Sequence, residues 1–483
     1  MSEMPRNGKP VSVTRAEIAS GVEAFLGRVV RETGVPGIAV SVRAGGEHLS
    51  IAAGHVRRGG PPLSPRHRFH AGCAIKLLLA VVALELAARG RLALDTAIGE
   101  PVAELRGTIH GATVRIAHLL SHTSGYRGTH LLDPAMRELD WTGLIALLRA
   151  APQLFPPGTV FSYEHTEAVL LGRILERATG REPLALVREM LLDPLGLAPG
   201  RLETSHEDPL WAGRHDLDRA SGRFVPIPSA PSLSAFWNPA FSDFTLSTAD
   251  LARIAHALLP AGRDAPSAGE RGAGPVSDES RERLRHGVVR LPAAFGGPIR
   301  ELQPIAFGLG AAEFPGGLYG HNGLTYGQCV AVRFAPAERV AVAIGMNAML
   351  PHLRDHVLDA ICAMLIGRPL RRPAPSFELE LAGFEGRYVG PGRGRASASF
   401  ANGRLALEIE HGEHRLPVEI VADEERKLIV QSPLPQLSVG LFLAPGGVPG
   451  LMLGASAYKR VASMRRRPSC AARPRPEIAE ERP

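Results

Sequence analysis

A lysine stands inside a strongly apolar stretch of the chain. The run Ala74-Ile75-Lys76-Leu77-Leu78-Leu79-Ala80-Val81-Val82-Ala83-Leu84 carries no other charge. An ammonium there is costly to bury without a partner, so whatever fold the chain adopts must bring it one. Lys76 is also the only lysine between Lys9 and Lys427. Cys73 lies three residues earlier, and side chains spaced i, i+3 share one face of a helix. The ammonium favours the thiolate, and a cysteine near a helix start gains further from the N-terminal dipole. A desolvated lysine can lose its proton near neutral pH and act as a base. The pair therefore reads as an activated nucleophile. The plain alternative is a structural cysteine beside a snorkelling lysine.

The 483 residues suffice for one large core and an appended domain. Hydrophobic residues make up 45% and charged residues 21%, as in ordinary globular proteins. The net charge of +7 comes from scattered arginine, apart from the stretch Arg460 to Arg475, and aromatics are 5%. That pattern argues against a nucleic-acid surface, which needs a clustered basic stripe with aromatics. Cys73, Cys329, Cys362 and Cys470 form no C-x-x-C pair, and His118 and His122 lack the glutamate of a His-Glu-x-x-His site, so no metal is expected. No phosphate loop or dinucleotide fingerprint is present, and no cofactor is expected. Neither an apolar signal segment nor a membrane-spanning run is evident. A cytoplasmic setting is expected, with no membrane partner.

The patterning predicts a helix over 13–34, a hairpin of Ile38–Val42 and Leu49–Ala53, and a helix opening at Cys73 and ending near Gly90. Residues 110–260 read as mostly helical, with an irregular stretch from 200 to 245, and 262–275 as a loop. From 305 the period changes to strands: Ala306–Leu309, Gly317–Tyr319, Gly327–Phe334 and Val340–Met346, then a helix over Pro351–Ile366. The expected fold is α+β, an antiparallel sheet from both ends of the domain sandwiched by helices, with a helical region inserted at about 90–260. The expected division is a catalytic domain over 12–368, a linker over 369–376, a small antiparallel β-barrel over 377–462, and a disordered tail over 463–483. Expected barrel strands are Gly386–Val389, Ala396–Phe400, Arg404–Glu408, Leu416–Ile420, Leu428–Gln431, Leu437–Leu443 and Leu451–Gly454.

Three further segments carry chemistry: His118-Leu119-Leu120-Ser121-His122-Thr123-Ser124-Gly125, Phe161-Ser162-Tyr163-Glu164-His165 before Leu170-Leu171-Gly172, and Gly320-His321-Asn322-Gly323 before a strand. With Cys73-x-x-Lys76 they resemble the serine β-lactamase and penicillin-recognising superfamily. The nearest branch is the class C β-lactamases with their esterase, D-aminopeptidase and transesterase relatives. The resemblance covers roughly residues 15–365, and 380–460 more weakly resemble the barrel extension of some members. It implies that Cys73 holds the nucleophile position, Lys76 its lysine, and Tyr163 the tyrosine of the Tyr-x-Asn motif. His321-Asn322-Gly323 then fall on the His-x-Gly motif, and the backbone N–H groups of Cys73 and Leu324 form the oxyanion hole.

Cysteine replaces serine at 73, and histidine replaces asparagine at 165. A thiol starts near pKa 8.5 and needs a weaker base than a hydroxyl. His165 is expected either to hold the thiolate as an ion pair or to protonate a leaving group. Tyr163 is expected to relay protons, and His321 to line the pocket or simply to pack. Glu164 is expected to face away, and His118 and His122 to order their loop. Cys329 and Cys362 read as inert packing residues. The expected function is acyl transfer, by hydrolysis or to an acceptor, through a thioester on Cys73. The partner is a small-molecule acyl donor, free or carried on a carrier protein, with a thioester, ester or amide bond in a biosynthetic pathway. The alternatives are a catalytically inactive binding protein and a simple esterase, β-lactamase or D-aminopeptidase-type hydrolase.

Overall fold

The strands Gln328–Ala335 and Val340–Met346 are buried at every position, so the sheet they form is covered on both faces. The computed structural model describes residues 15–44, 46–128, 139–202, 208–218, 220–227, 235–260, 274–292, 294–296, 303–370, 380–391, 394–411, 414–422, 428–432, 439–453 and 455–462. The eight-stranded sheet runs in the order Glu47–Gly54, Gly37–Ala44, Val340–Met346, Gln328–Ala335, Leu318–Thr325, Ala312–Phe314, Ala306–Phe307 and Val289–Arg290. All its pairings are antiparallel, with Val40 opposite Ile344 and His321 opposite Val332. Strand alternation sorts the side chains by face. Val40, Val342 and Ile344 join Val22, Leu26, Val357 and Ile361 from the helices Arg15–Thr33 and Pro351–Ile366. Ala39, Ala341 and Ala343 join Leu251, Ala252 and Ala255 from the helix Thr248–Ala257, where small residues let the helix lie close.

Ile75–Ala88 is buried from Ile75 through Leu86 and is packed on several sides by other helices, as an all-apolar helix requires. Its second buried charge, Glu85, accepts from the Ser277 amide at 2.6 Å and its hydroxyl at 2.7 Å. The helical region is less helical than its sequence suggests. It holds Ile109–Thr113, Ile116–Leu120, Trp141–Ala150, His165–Thr179 and Pro183–Val187, but also the short strands Gly200–Arg201, His215–Asp218, Arg223–Pro226 and Phe244–Ser247. Cys73 lies in a 3-10 turn, Gly72–Ala74, and the α-helix starts just after it. The strand expected to end at Tyr319 continues to Thr325, so His321–Leu324 lie within it rather than after it, and still precede the strand Gln328–Ala335. Most of the expected loop over 262–275, and residues 371–376 of the linker, lie outside the described residues, as does the whole tail.

The C-terminal strands form a sheet in the order Leu428–Gln431, His414–Ala422, Arg404–His411, Arg395–Ala401, Gly386–Val389, Ser456–Ala462, Val448–Leu453 and Val439–Ala444. Ser456–Ala462 was absent from the expected set. A ninth strand, Ala294–Gly296, comes from the main domain and pairs with Val439–Leu441. It also approaches Leu428–Gln431, so the sheet nearly closes on itself. The barrel is joined to the catalytic domain by Arg127 Nε donating to Gly390 O at 2.9 Å and by Tyr163 N donating to Ala455 O at 2.9 Å.

Phe69 is fully buried, and its ring fills the space that a side chain at Gly345 would occupy. Phe69→Ala is expected to cost about 3–5 kcal/mol, seen as a lower urea midpoint.

Candidate active site

The turn that carries Cys73 is held on both sides. His70 N donates to Gln328 Oε1 at 2.9 Å, and Ala71 N donates to Phe244 O at 3.0 Å. Gly72 has φ +54°, and a Cβ there would lie 2.8 Å from Thr325 Cγ2 and 3.0 Å from Leu324 O. A Cβ at Gly323 would collide with the Ala71 carbonyl oxygen. The two glycines therefore allow the strand Leu318–Thr325 to lie directly against the turn. This brings the Leu324 main chain beside the Cys73 turn. The buried Arg354 holds the other side of that strand, donating to Val330 O at 3.2 Å and Gly323 O at 3.4 Å.

Lys76 Nζ donates to Ala240 O at 2.5 Å. It also lies 5.0 Å from the Tyr163 ring centre and 5.2 Å from that of Phe241, within cation–π range. Burial pushes Lys76 below the usual lysine range, while the neighbouring Cys73 and Glu167 oppose that shift. The Tyr163 hydroxyl is buried with no oxygen or nitrogen partner among the described residues. Burial raises its pKa well above 10, and the charge on Cys73 raises it further, so it stays a proton donor beside the sulfur. Cys73 itself is 9% exposed.

His321 Nδ1–H donates to Asn322 O at 2.7 Å, and burial lowers its pKa to about 3. It faces the site as a neutral imidazole. Its ring centre is 6.2 Å from that of Tyr163. His165 starts the helix His165–Thr179, stacks on Phe241 at 4.5 Å and meets Tyr163 edge-on at 5.5 Å. Leu324 is 38% exposed, the most open of the expected site residues.

Two residues, His122 and Glu164, differ from their sequence reading. His122, expected only to order its loop, packs its ring 4.4 Å from that of Tyr163 and pairs through Nδ1 with buried Glu167. Glu164, expected to face away, is 1% exposed, and neither of its carboxyl oxygens has a hydrogen-bond partner among the described residues. Burial and nearby Glu167 hold its pKa well above the carboxylate range. Glu167 stands in the first turn of the helix His165–Thr179, and nothing local marks that turn as buried. His118 does order its loop, accepting from Arg115 N at 3.0 Å. Among the described residues no group of three or more His, Cys, Asp or Glu is placed to hold a metal ion. No described helix is long and apolar enough to cross a membrane.

The Beta-lactamase family model matches residues 21–361, which takes in all of these side chains. The chain belongs to the beta-lactamase family. Penicillin-binding protein 4 of Amycolatopsis lactamdurans is 26% identical over 367 residues, 73% of this chain and 93% of that protein. Esterase EstB of Burkholderia gladioli is 28% identical over 252 residues, 47% of this chain and 64% of the esterase. The crystal structure of SurE matches with a TM-score of 0.71 at 24% identity, covering 93% of this chain and 100% of that one. A class C beta-lactamase matches with a TM-score of 0.58 at 17% identity, covering 74% and 98%. These structures share the beta-lactamase fold, and the SurE match extends over the barrel region.

Two outcomes follow from this geometry. Gly323→Ala is expected to push the strand off the turn that carries Cys73, lowering stability by about 1–3 kcal/mol. Urea unfolding checks the loss. His321 is held neutral with a pKa of about 3, whereas the unfolded chain binds its proton near pH 6.5. The unfolded state therefore binds more protons below pH 6.5, and stability is lost as pH falls. Between pH 7 and 5 the wild type is expected to lose about 2 kcal/mol that His321→Asn keeps, measured by urea unfolding at each pH.

Proposed function

We propose that this beta-lactamase family member is an acyl-transfer enzyme with Cys73 as its covalent nucleophile. The observation that carries this reading is the convergence on Cys73 of a buried amine, Lys76, and a buried phenol, Tyr163. The Cys73 sulfur bonds to the acyl carbon, and the bond from that carbon to its leaving group breaks. Tyr163 gives the leaving group a proton and regains one from the Lys76 ammonium. In the second half the acceptor's proton returns to the Lys76 amine as the acceptor bonds to the acyl carbon. The S–C bond then breaks and the thiolate reforms. The backbone N–H groups of Cys73 and Leu324 stabilise the oxyanion, a contribution of about 2.7–4 kcal/mol per donor in such sites. His321, Asn322 and Gly323 supply the strand that lines the acyl group, and His165 flanks Tyr163.

Sulfur favours a thioester donor, because thiol–thioester exchange is nearly balanced in free energy. The resulting thioester hands its acyl group readily to amines. A small acyl donor, free or carried on a carrier protein, fits this chemistry in a biosynthetic pathway. Simple ester or amide hydrolysis is the second reading, favoured by the kinship to an esterase.

Incubation with acetyl and aminoacyl thioesters of N-acetylcysteamine should add one acyl mass to Cys73, detected on its tryptic peptide. Cys73→Ala should carry none. Cys73→Ser should turn over thioesters at least tenfold more slowly, by about 1.4 kcal/mol or more of activation free energy. Undiminished turnover by Cys73→Ser would mean that sulfur is incidental. An unmodified Cys73 with every donor would leave a binding protein. Product analysis with amine acceptors separates transfer from hydrolysis.

A further inference from the structure

We propose that His122, held by Glu167, is a positioning residue for Tyr163, so that the phenol delivers its proton to the leaving group. The proposal rests on the acyl-transfer reading of Cys73 and extends it to His122, in the segment His118–Gly125, and to Glu167, neither of which the family resemblance gave a catalytic role.

Four observations carry it. His122 has φ +53°, a conformation that costs a non-glycine residue and persists only where the surroundings enforce it. Its side chain is fixed through Nδ1 to Glu167, which also accepts from Ser124 N at 3.3 Å. Its main chain accepts from Ser162 N at 2.8 Å, one residue before Tyr163. Its ring lies 4.4 Å from the Tyr163 ring, on a phenol whose hydroxyl has no oxygen or nitrogen partner of its own among the described residues. Packing against His122 and Lys76 orients this phenol.

The pair is fully enclosed. Phe307 closes one edge of His122 at 5.2 Å, and Glu164 and Tyr126 are near enough to Glu167 to feel its charge. A side chain at Gly128 would run into the Glu164 carboxyl group, so no residue larger than glycine covers that corner. Burial and the charge of Lys76 hold His122 neutral, and burial holds Glu167 well above the carboxylate range. One proton shared between carboxyl and imidazole satisfies both groups. It also leaves Lys76 without a second cation beside the sulfur. Glutamine reproduces the shape and hydrogen bonding of a protonated carboxyl group, whereas leucine reproduces only its bulk.

The test separates reactions that need the Tyr163 proton from one that does not. Acylation of Cys73 by an oxygen ester or thioester releases a leaving group that takes a proton. Alkylation by iodoacetamide releases iodide, which takes none. Glu167→Leu is expected to slow acylation at least tenfold while KM and the alkylation rate each change less than threefold. Glu167→Gln should restore acylation to within threefold of the wild type. His122→Asn should repeat the Glu167→Leu pattern, and it serves if Glu167→Leu does not fold. The proposal is overturned if Glu167→Leu acylates at the wild-type rate. It is equally overturned if acylation and alkylation fall together, or if Glu167→Gln is as slow as Glu167→Leu. Wild-type protein that alkylates but never acylates on Cys73 would instead overturn the nucleophile reading, and the pair's role with it.

Discussion

One buried ammonium organises the catalytic domain. An amine taken from water into a protein interior loses several kcal/mol of hydration, which only well-placed partners can offset. Lys76 finds them in a main-chain carbonyl, two aromatic faces and a neighbouring sulfur. These partners come from three separate parts of the chain. Ala240 and Phe241 belong to a short helix, Tyr163 to the segment that enters His165–Thr179, and Cys73 to the turn before the lysine's own helix. Satisfying the charge therefore fixes how the helical region packs on itself. That packing in turn sets the floor on which Leu318–Thr325 lies.

The same constraint explains the character of the side chains around it. A second fixed cation would repel Lys76, and His70, His122 and His321 are all held neutral by burial. The two glutamates beside the site are pushed toward their acid forms for the same reason. The interior thus concentrates titratable groups while keeping few of them charged. Sulfur suits such a site, because a thiol yields its proton to a weakened amine more easily than a hydroxyl does.

The barrel is not a bystander to this arrangement. Its last hairpin accepts the Tyr163 amide at Ala455 O, and Ala457 N donates to Ser162 Oγ at 3.1 Å. In return the catalytic domain lends the barrel a strand, Ala294–Gly296. The segment Ser162–Tyr163 is consequently held from one side by His122 and from the other by the barrel. Its main-chain groups have little freedom.

Much of this was legible in local pattern. The i, i+3 spacing paired Cys73 with Lys76, although Cys73 stands in the 3-10 turn before the helix, and the alternating and continuous apolar runs marked the sheet and its covering helices. Tyr163 and His321 were named by the resemblance of their segments to the family's motifs, not by spacing or periodicity. Ser456–Ala462, with its charged Lys459 and Arg460, did not read as a strand because its pairing with Gly386–Val389 spans the whole barrel. Glu164 and His122 were misread, and Glu167 was passed over, because a polar residue on a helix or loop looks solvent-facing until something covers it. The residues that cover or pair with them are far away in sequence: His122 meets Glu167, Lys76 meets Ala240, and Tyr163 meets Ala455. Local chemistry along the chain determined which atoms could react. Burial, which sets the charge and aim of those atoms, is a property of the closed fold, because only distant segments can exclude the water that local sequence cannot.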